Sequence, residues 1–212
     1  MKTILSLAAA SCIGFGSVFL AACTSMSPSV NFYTLASVEE KTVRYPAKEA
    51  SPLVIRVMPV EIPDYLDRPE IMTKKGPYRV TMAEFNRWAG SFRDTITAVF
   101  AENLGLLLKT DLVFVQPPVD IRDIDYRVAM KVLRLDSRLG DQVLLKAKWT
   151  VSPVKNMAPA ATEVSTFVES LPDDDYGTLA AGISRTLEQV SREIAEKIML
   201  HSPRLKKRGE SS

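Results

Sequence analysis

The 212-residue chain carries 27 Lys and Arg side chains against 25 Asp and Glu, so its formal net charge is only +2. This balance argues against a nucleic-acid-binding protein, which needs a strong positive field. The chain has one histidine and two cysteines, so few residues could serve in His- or Cys-dependent catalysis or in disulfide bonds.

The N-terminal segment has the form of a secretory signal peptide. Lys2 precedes an apolar run from Ile4 to Ala22, and small residues stand just before Cys23. The alternative is an uncleaved transmembrane helix, because the run is just long enough to span a bilayer. Glycines and serines interrupt that run and no basic cluster follows it. We therefore favour cleavage.

The residues at this cleavage point, Leu20-Ala21-Ala22-Cys23, resemble the lipobox of bacterial lipoproteins. The resemblance implies that residues 1–22 are removed and that Cys23 receives the acyl chains that anchor the protein. Thr24 follows where an aspartate would favour retention at the inner membrane, so the outer membrane is expected. The remaining boundaries are a lipidated tether at 23–30, one α+β domain at 31–201 and a basic, disordered tail at 202–212.

Most of the predicted elements are strands. Residues 31–35 and 53–60 are rich in β-formers, and Gly76-Pro77 separates 71–74 from 78–81 as a hairpin turn. After a short strand at 112–115, period-two alternation over 126–133 and 143–151 predicts a long antiparallel hairpin around Gly140-Asp141. Residues 162–170 supply a further strand.

Two helices are predicted. Thr81 and Glu84 have the spacing of a capping box, and an apolar stripe from Phe85 and Trp88 to Leu107 predicts a helix that ends near Lys109. A second stripe, from Tyr176 to Ile198, follows three aspartates. Strand hairpins with two separate helices indicate an α+β fold, a mostly antiparallel sheet with two long amphipathic helices packed on one face.

No catalytic or metal-binding pattern stands out. His201 is the only histidine and lies before the basic tail, where a cation beside a helix C-terminus is the simpler interpretation. Asp173, Asp174 and Asp175 could bind a metal ion, but a helix cap is favoured. We expect a protein that is not an enzyme, with no metal, no cofactor and no nucleic acid.

Four segments resemble the ABC-type transport auxiliary lipoprotein family, which includes the lipoprotein of the paraquat-inducible operon. The most specific segment contains Tyr65-Leu66-Asp67-Arg68-Pro69. The others are Ala83–Ala89 with Arg87-Trp88, read as a helix start, then Ala101–Leu104, and Leu145–Trp149. The chain departs from the family at Gly90-Ser91, where Glu-Pro is common.

The resemblance implies a non-catalytic accessory component of an MCE/ABC-type intermembrane lipid transport system. Its partners would be the outer membrane, through Cys23, and an MCE-domain protein, with a homo-oligomer possible. Alternatives are a lipoprotein that assists assembly of outer-membrane β-barrels or the envelope, and an envelope hydrolase.

Five residues are candidates for contact with a partner or with lipid: Tyr65, Asp67, Arg68, Arg87 and Trp88. The planar guanidinium of Arg68 suits a carboxylate or phosphate. It could serve an internal Arg–carboxylate clasp that fixes its Pro-bounded loop, or it could bind a partner. The aromatic stripe with Trp88 could line a lipid groove, although core packing is the commoner use of such a stripe.

Overall fold

A computed structural model describes residues 29–38, 52–116, 123–154 and 161–202. Cys23, the signal peptide, most of the tether and nearly all of the basic tail lie outside these residues. Strands β1 to β8 and helices α1 and α2 follow one another along the chain: β1 Asn31–Tyr33, β2 Ile55–Val57, β3 Glu70–Lys75, β4 Arg79–Trp88, α1 Phe92–Leu108, β5 Val113–Phe114, β6 Tyr126–Arg138, β7 Gln142–Pro153, β8 Ala161–Ser170 and α2 Tyr176–His201.

The strands form two mixed sheets. The order of the larger is β5-β2-β6-β7-β8, in which β2 runs parallel to both of its neighbours and β6, β7 and β8 are antiparallel. The smaller has the order β1-β4-β3, with β1 parallel to β4 and the β3–β4 hairpin antiparallel. The α+β prediction is confirmed, but the expected single sheet is two, each with parallel pairs.

The hydrophobic core lies between the larger sheet and the helices. Period-two alternation buries one face of β6 and β7, so that Val128, Leu145 and Trp149 are each at most 1% exposed. Helix α2 packs on β6, β7 and β8, and α1 packs on α2 and β5. Apolar side chains at helical spacing supply the other half of the core, including Phe100, Leu104, Leu187 and Ile194.

The predicted start of the first helix is wrong. Residues 79–88 form β4, and α1 begins at Phe92 after the N-cap Ser91, whose hydroxyl accepts a hydrogen bond from the backbone N–H of Asp94. The register of β3 and β4 shifts between Glu70 and Met72, so that Ala83 and Trp88 are both buried despite their odd spacing. Pairing of β4 with both β1 and β3 outweighs the local helix signal.

The helix ends agree better with the local sequence. Helix α1 ends at Leu108, and Lys109 adopts a left-handed conformation at its C-cap. The N-cap of α2 is Asp175, whose carboxylate accepts a hydrogen bond from the N–H of Thr178 at 2.9 Å. In the described residues no helix is both long and apolar enough to cross a membrane, and no group of three acidic, His or Cys side chains could hold a metal ion.

Candidate functional site

The most specific sequence segment folds into a short loop beside the β3–β4 hairpin. Pro63 precedes a single 3₁₀ turn over Asp64–Leu66, and the backbone N–H of Asp67 closes that turn on the carbonyl of Asp64 at 3.1 Å. Leu66 is 4% exposed and fixes the loop to the core. The polar side chains on either side of it are thereby held at the surface.

An internal clasp fixes this loop, but it is made by Asp67 rather than by Arg68. The Asp67 carboxylate accepts a hydrogen bond from Arg93 of α1 at 2.7 Å. Arg68 is exposed, and its guanidinium lies 3.9 Å from the sulfur of Met82 on β4. Arg68 has no carboxylate partner among the described residues. The structural role considered for Arg68 therefore belongs to its neighbour, and the Arg68 guanidinium is left available.

Arg87 and Trp88, at the end of β4, hold the hairpin in place. Arg87 pairs with Glu70 across the hairpin at 3.5 Å. Trp88 is 5% exposed and stacks on Phe92, with the ring centroids 4.4 Å apart. The indole is thus core, and it joins the end of β4 to the start of α1.

Tyr65 lines a cavity of about 180 Å³ between the β3–β4 hairpin and β6. Met72, Lys74 and Val80 face it from the hairpin, and Leu135 and Asp136 face it from β6. Burial of the phenol, followed by the charge of Asp136, raises the pKa of Tyr65 above 10.0. The phenol therefore stays neutral at physiological pH.

A buried ion cluster forms one wall of this cavity. The side chain of Asp136 is 4% exposed, and Lys74 donates hydrogen bonds to both of its carboxylate oxygens at 3.0 Å. Arg134 donates to the same carboxylate from its Nε at 2.8 Å and also from its Nη2. Burial alone would raise the pKa of Asp136, but the hydrogen bonds from Arg134 and Lys74 outweigh it and hold the pKa below its usual value of 3.8.

Beside the cavity, the β3–β4 hairpin carries large apolar side chains into solvent. Tyr78 is 96% exposed at the hairpin turn, and Val80 and Met82 follow at 45% and 53%. We call Tyr78, Val80, Met82 and Arg68 the hairpin surface. Sequence reasoning missed its three apolar members, although their period-two spacing is a strand signal. It also missed the ion cluster, because Lys74 and Asp136 are far apart in the chain.

The candidate residues thus divide into two groups. Tyr65 lines the cavity and Arg68 belongs to the hairpin surface. Asp67, Arg87 and Trp88 instead hold the loop and the hairpin in place. An exposed apolar surface beside a guanidinium with no carboxylate partner among the described residues suits docking of a partner. The only histidine is distant in sequence, and its ring Nδ1 lies 2.8 Å from the backbone carbonyl of Lys197 in the last turns of α2.

Comparisons with solved structures find the same fold in an uncharacterised protein and in a protein from Xanthomonas campestris. An uncharacterised protein is 17% identical, with 81% of this chain and 99% of that chain covered and a TM-score of 0.66. A protein from Xanthomonas campestris is 15% identical, with 86% and 100% covered and a TM-score of 0.63. PelC of Paraburkholderia phytofirmans, crystallised as a dodecamer, is 11% identical with 71% and 92% covered and a TM-score of 0.41.

No curated protein matches the chain. The family model of the ABC-type transport auxiliary lipoprotein component matches residues 33–195. This range includes all of α1, α2 as far as Ala195, and every described strand except the first two residues of β1. The chain therefore belongs to the ABC-type transport auxiliary lipoprotein family.

Proposed function

We propose that this protein is a non-catalytic accessory lipoprotein, anchored on the periplasmic side of the outer membrane, that docks an MCE-domain protein of an ABC-type lipid transport system. Family membership supports the link to ABC-type transport. The observation that carries the docking role is the hairpin surface, where Tyr78, Val80 and Met82 expose apolar area beside Arg68. Such exposed apolar area is typical of interaction sites.

The chemistry of this surface specifies the partner segment. Exposed aromatic and Met side chains gain most when a partner removes them from water, and such residues are enriched at interfaces. The guanidinium of Arg68 adds a planar fork that suits a carboxylate. The partner should therefore present apolar side chains next to an acidic residue.

Copurification with the MCE-domain protein tests the docking role. Tyr78→Ser with Met82→Ser should weaken capture at least tenfold, since hot-spot residues of an interface, among which Tyr is enriched, each contribute about 2 kcal/mol. Leu200→Ser is the matched control, because Leu200 is 60% exposed on the last turn of α2, away from the hairpin. Arg68→Ala should leave folding intact and reduce capture. Equal capture of all variants would refute the hairpin surface as the docking site.

The anchor is proposed from the sequence motif at Cys23. Mass spectrometry of the native protein should find an acylated cysteine as the first residue, and Cys23→Ala should abolish both processing and acylation. Thr24→Asp should move the protein from the outer to the inner membrane fraction. An unmodified N-terminus at another residue would refute the anchor.

The same copurification separates the alternative functions. Capture of an outer-membrane β-barrel in place of an MCE-domain protein would favour a role in envelope assembly. Esterase or peptidoglycan-hydrolysing activity would favour an enzyme. The possible homo-oligomer is tested by the mass of the purified protein in solution.

A further inference from the structure

The face of the larger sheet that points away from the helices is strongly basic. Because Val128, Met130 and Val132 of β6 are buried against the helices, the residues between them point to the opposite face. The same alternation applies to β2 and β7. This alternation, together with the register shift of β6 between Val132 and Arg134, places six cations on this open face: Arg56, Arg127, Lys131, Arg134, Lys146 and Lys148.

Few carboxylates balance these cations. In the parts of the chain that the structure describes, Glu61 pairs with Lys131 at 2.8 Å, and Asp136 pairs with Arg134. Arg127, Lys146 and Lys148 are exposed and have no ion pair among the described residues. On β8 the two glutamates point to the helix side, where Glu163 and Glu169 pair with Lys197 and Arg185 of α2. A chain with net charge near zero thus concentrates positive charge on one face.

Two cross-strand pairs of the larger sheet place cations directly opposite each other. Lys131 lies directly opposite Lys148, and Arg134 lies directly opposite Lys146, in the β6–β7 pairing. Like charges directly opposite one another destabilise an antiparallel pair. Glu61 and Asp136 offset this repulsion at Lys131 and Arg134, whereas Lys146 and Lys148 have no carboxylate partner among the described residues. The arrangement therefore points to an external anion that pairs with these two lysines.

The shape of the basic area favours a planar ligand over a linear one. Its charges extend across three adjacent strands instead of following a single groove, and strands lie about 4.8 Å apart in a sheet. Apolar side chains stand among and beside them: Leu133 is 41% exposed, Val164 52% and Val168 48%. Val164 pairs in register with Lys148, and Val168 pairs with Leu144. Such a combination matches an anionic bilayer surface, because the cations can pair with the headgroups and the aliphatic groups can contact the acyl chains.

We propose that the open face of the larger sheet binds the anionic phospholipid surface of the membrane that carries the anchor. The inference rests on the proposed function for the anchor, whose tether of a few residues would keep the domain within about 25 Å of the lipid. At that range a weak surface attraction is effective, because the tether makes binding intramolecular. Docking of this face would fix the orientation of the domain on the membrane.

The experiment uses the full chain incorporated into phosphatidylcholine vesicles, with or without phosphatidylglycerol, and with an environment-sensitive fluorophore on Val164→Cys. Quenching by spin-labelled lipid should be strong in the vesicles that contain phosphatidylglycerol, and high salt should reduce it. A fluorophore on Tyr78→Cys, at the hairpin turn, should be quenched less. Each surface cation contributes about fivefold to such binding, so Lys146→Gln with Lys148→Gln should lower the ratio of bound to unbound face by about 30-fold.

The matched control is Lys75→Gln with Arg79→Gln, which removes the same charge from the exposed hairpin and should leave quenching at position 164 unchanged. Equal quenching with and without phosphatidylglycerol would overturn the proposal, as would equal effects of the two double variants. Protection of the labelled site by an acidic polypeptide but not by lipid would also overturn it, and would assign the face to a protein. Failure to incorporate into phosphatidylcholine vesicles would contradict the anchor itself, which separates the two proposals.

Discussion

At the scale of single residues, Asp136 is the one charged residue that is buried among those the structure describes. Its carboxylate is buried between Lys74 of the hairpin and Arg134 of its own strand. Asp136→Ala should lower the free energy of unfolding by about 1–3 kcal/mol, because Lys74 would lose its partner in a partly buried position. Urea denaturation at neutral pH measures this. Glu61→Ala is the control, since the exposed Glu61–Lys131 pair should contribute much less.

The same carboxylate predicts a pH dependence. A carboxyl whose pKa is lowered in the folded state stabilises the protein above its ordinary pKa of 3.8, and that stability is lost as the pH falls through the folded value. The free energy of unfolding of the parent should therefore decrease below about pH 4. In Asp136→Asn this acid decrease should be smaller. An unchanged acid profile in that variant would contradict the role of the cluster.

At the scale of the element, α2 depends on its N-cap, the residue that precedes it. Asp175 caps the helix by accepting a hydrogen bond from Thr178, while the adjacent Asp174 is exposed and makes no hydrogen bond to the described residues. Asp175→Ala should cost about 1 kcal/mol of unfolding free energy, and Asp174→Ala should change it by less than about 0.5 kcal/mol. Equal effects of the two substitutions would mean that general helix-end electrostatics, and not the cap, is responsible.

Strand β4 shows that strand pairing can outweigh a helix signal in the local sequence. Thr81 and Glu84 satisfy the pattern of a capping box, and Phe85, Trp88 and Phe92 have helical spacing. The segment is nevertheless a strand, because β1 and β3 both pair with it and Ser91 supplies a second, genuine cap. The hairpin surface exists as a consequence, since a helix that began at Thr81 would have turned Met82 elsewhere.

At the scale of the whole molecule, Asn103 joins three parts of the chain. It is fully buried in α1; its side-chain oxygen accepts a hydrogen bond from the backbone N–H of Val38 at 2.8 Å, and its amide reaches Ser191 of α2 at 3.4 Å. Asn103 lies in one of the segments that resemble the family, and its contacts give that segment a structural reason. It holds the segment that follows β1 against both helices.

Asn103→Ala should therefore lower the free energy of unfolding by about 1–3 kcal/mol, since the buried N–H of Val38 would lose its acceptor. Hydrogen exchange at Val38 should accelerate more than exchange in β7. Glu102→Ala, at the exposed neighbouring position, is the control and should leave both measurements nearly unchanged. Uniform acceleration through the protein would show that the effect is global rather than local to this segment.

The sequence by itself determined the elements whose signals are local. Alternation defined β6, β7 and β8, the aspartates defined the start of α2, and apolar spacing defined the buried face of each helix. These features need only the periodicity of the backbone and the burial of apolar side chains. The resemblance in the loop with Tyr65 and Arg68 was likewise visible without a structure.

Only the tertiary structure decided which distant residues meet. It placed Lys74 on Asp136 and Arg93 on Asp67, made β4 a strand, and gave β2 parallel neighbours on both sides. It also gathered dispersed cations of β2, β6 and β7 on one face. Sequence spacing carries no information on such pairings, because they depend on strand order and register, which are set by packing across the whole domain.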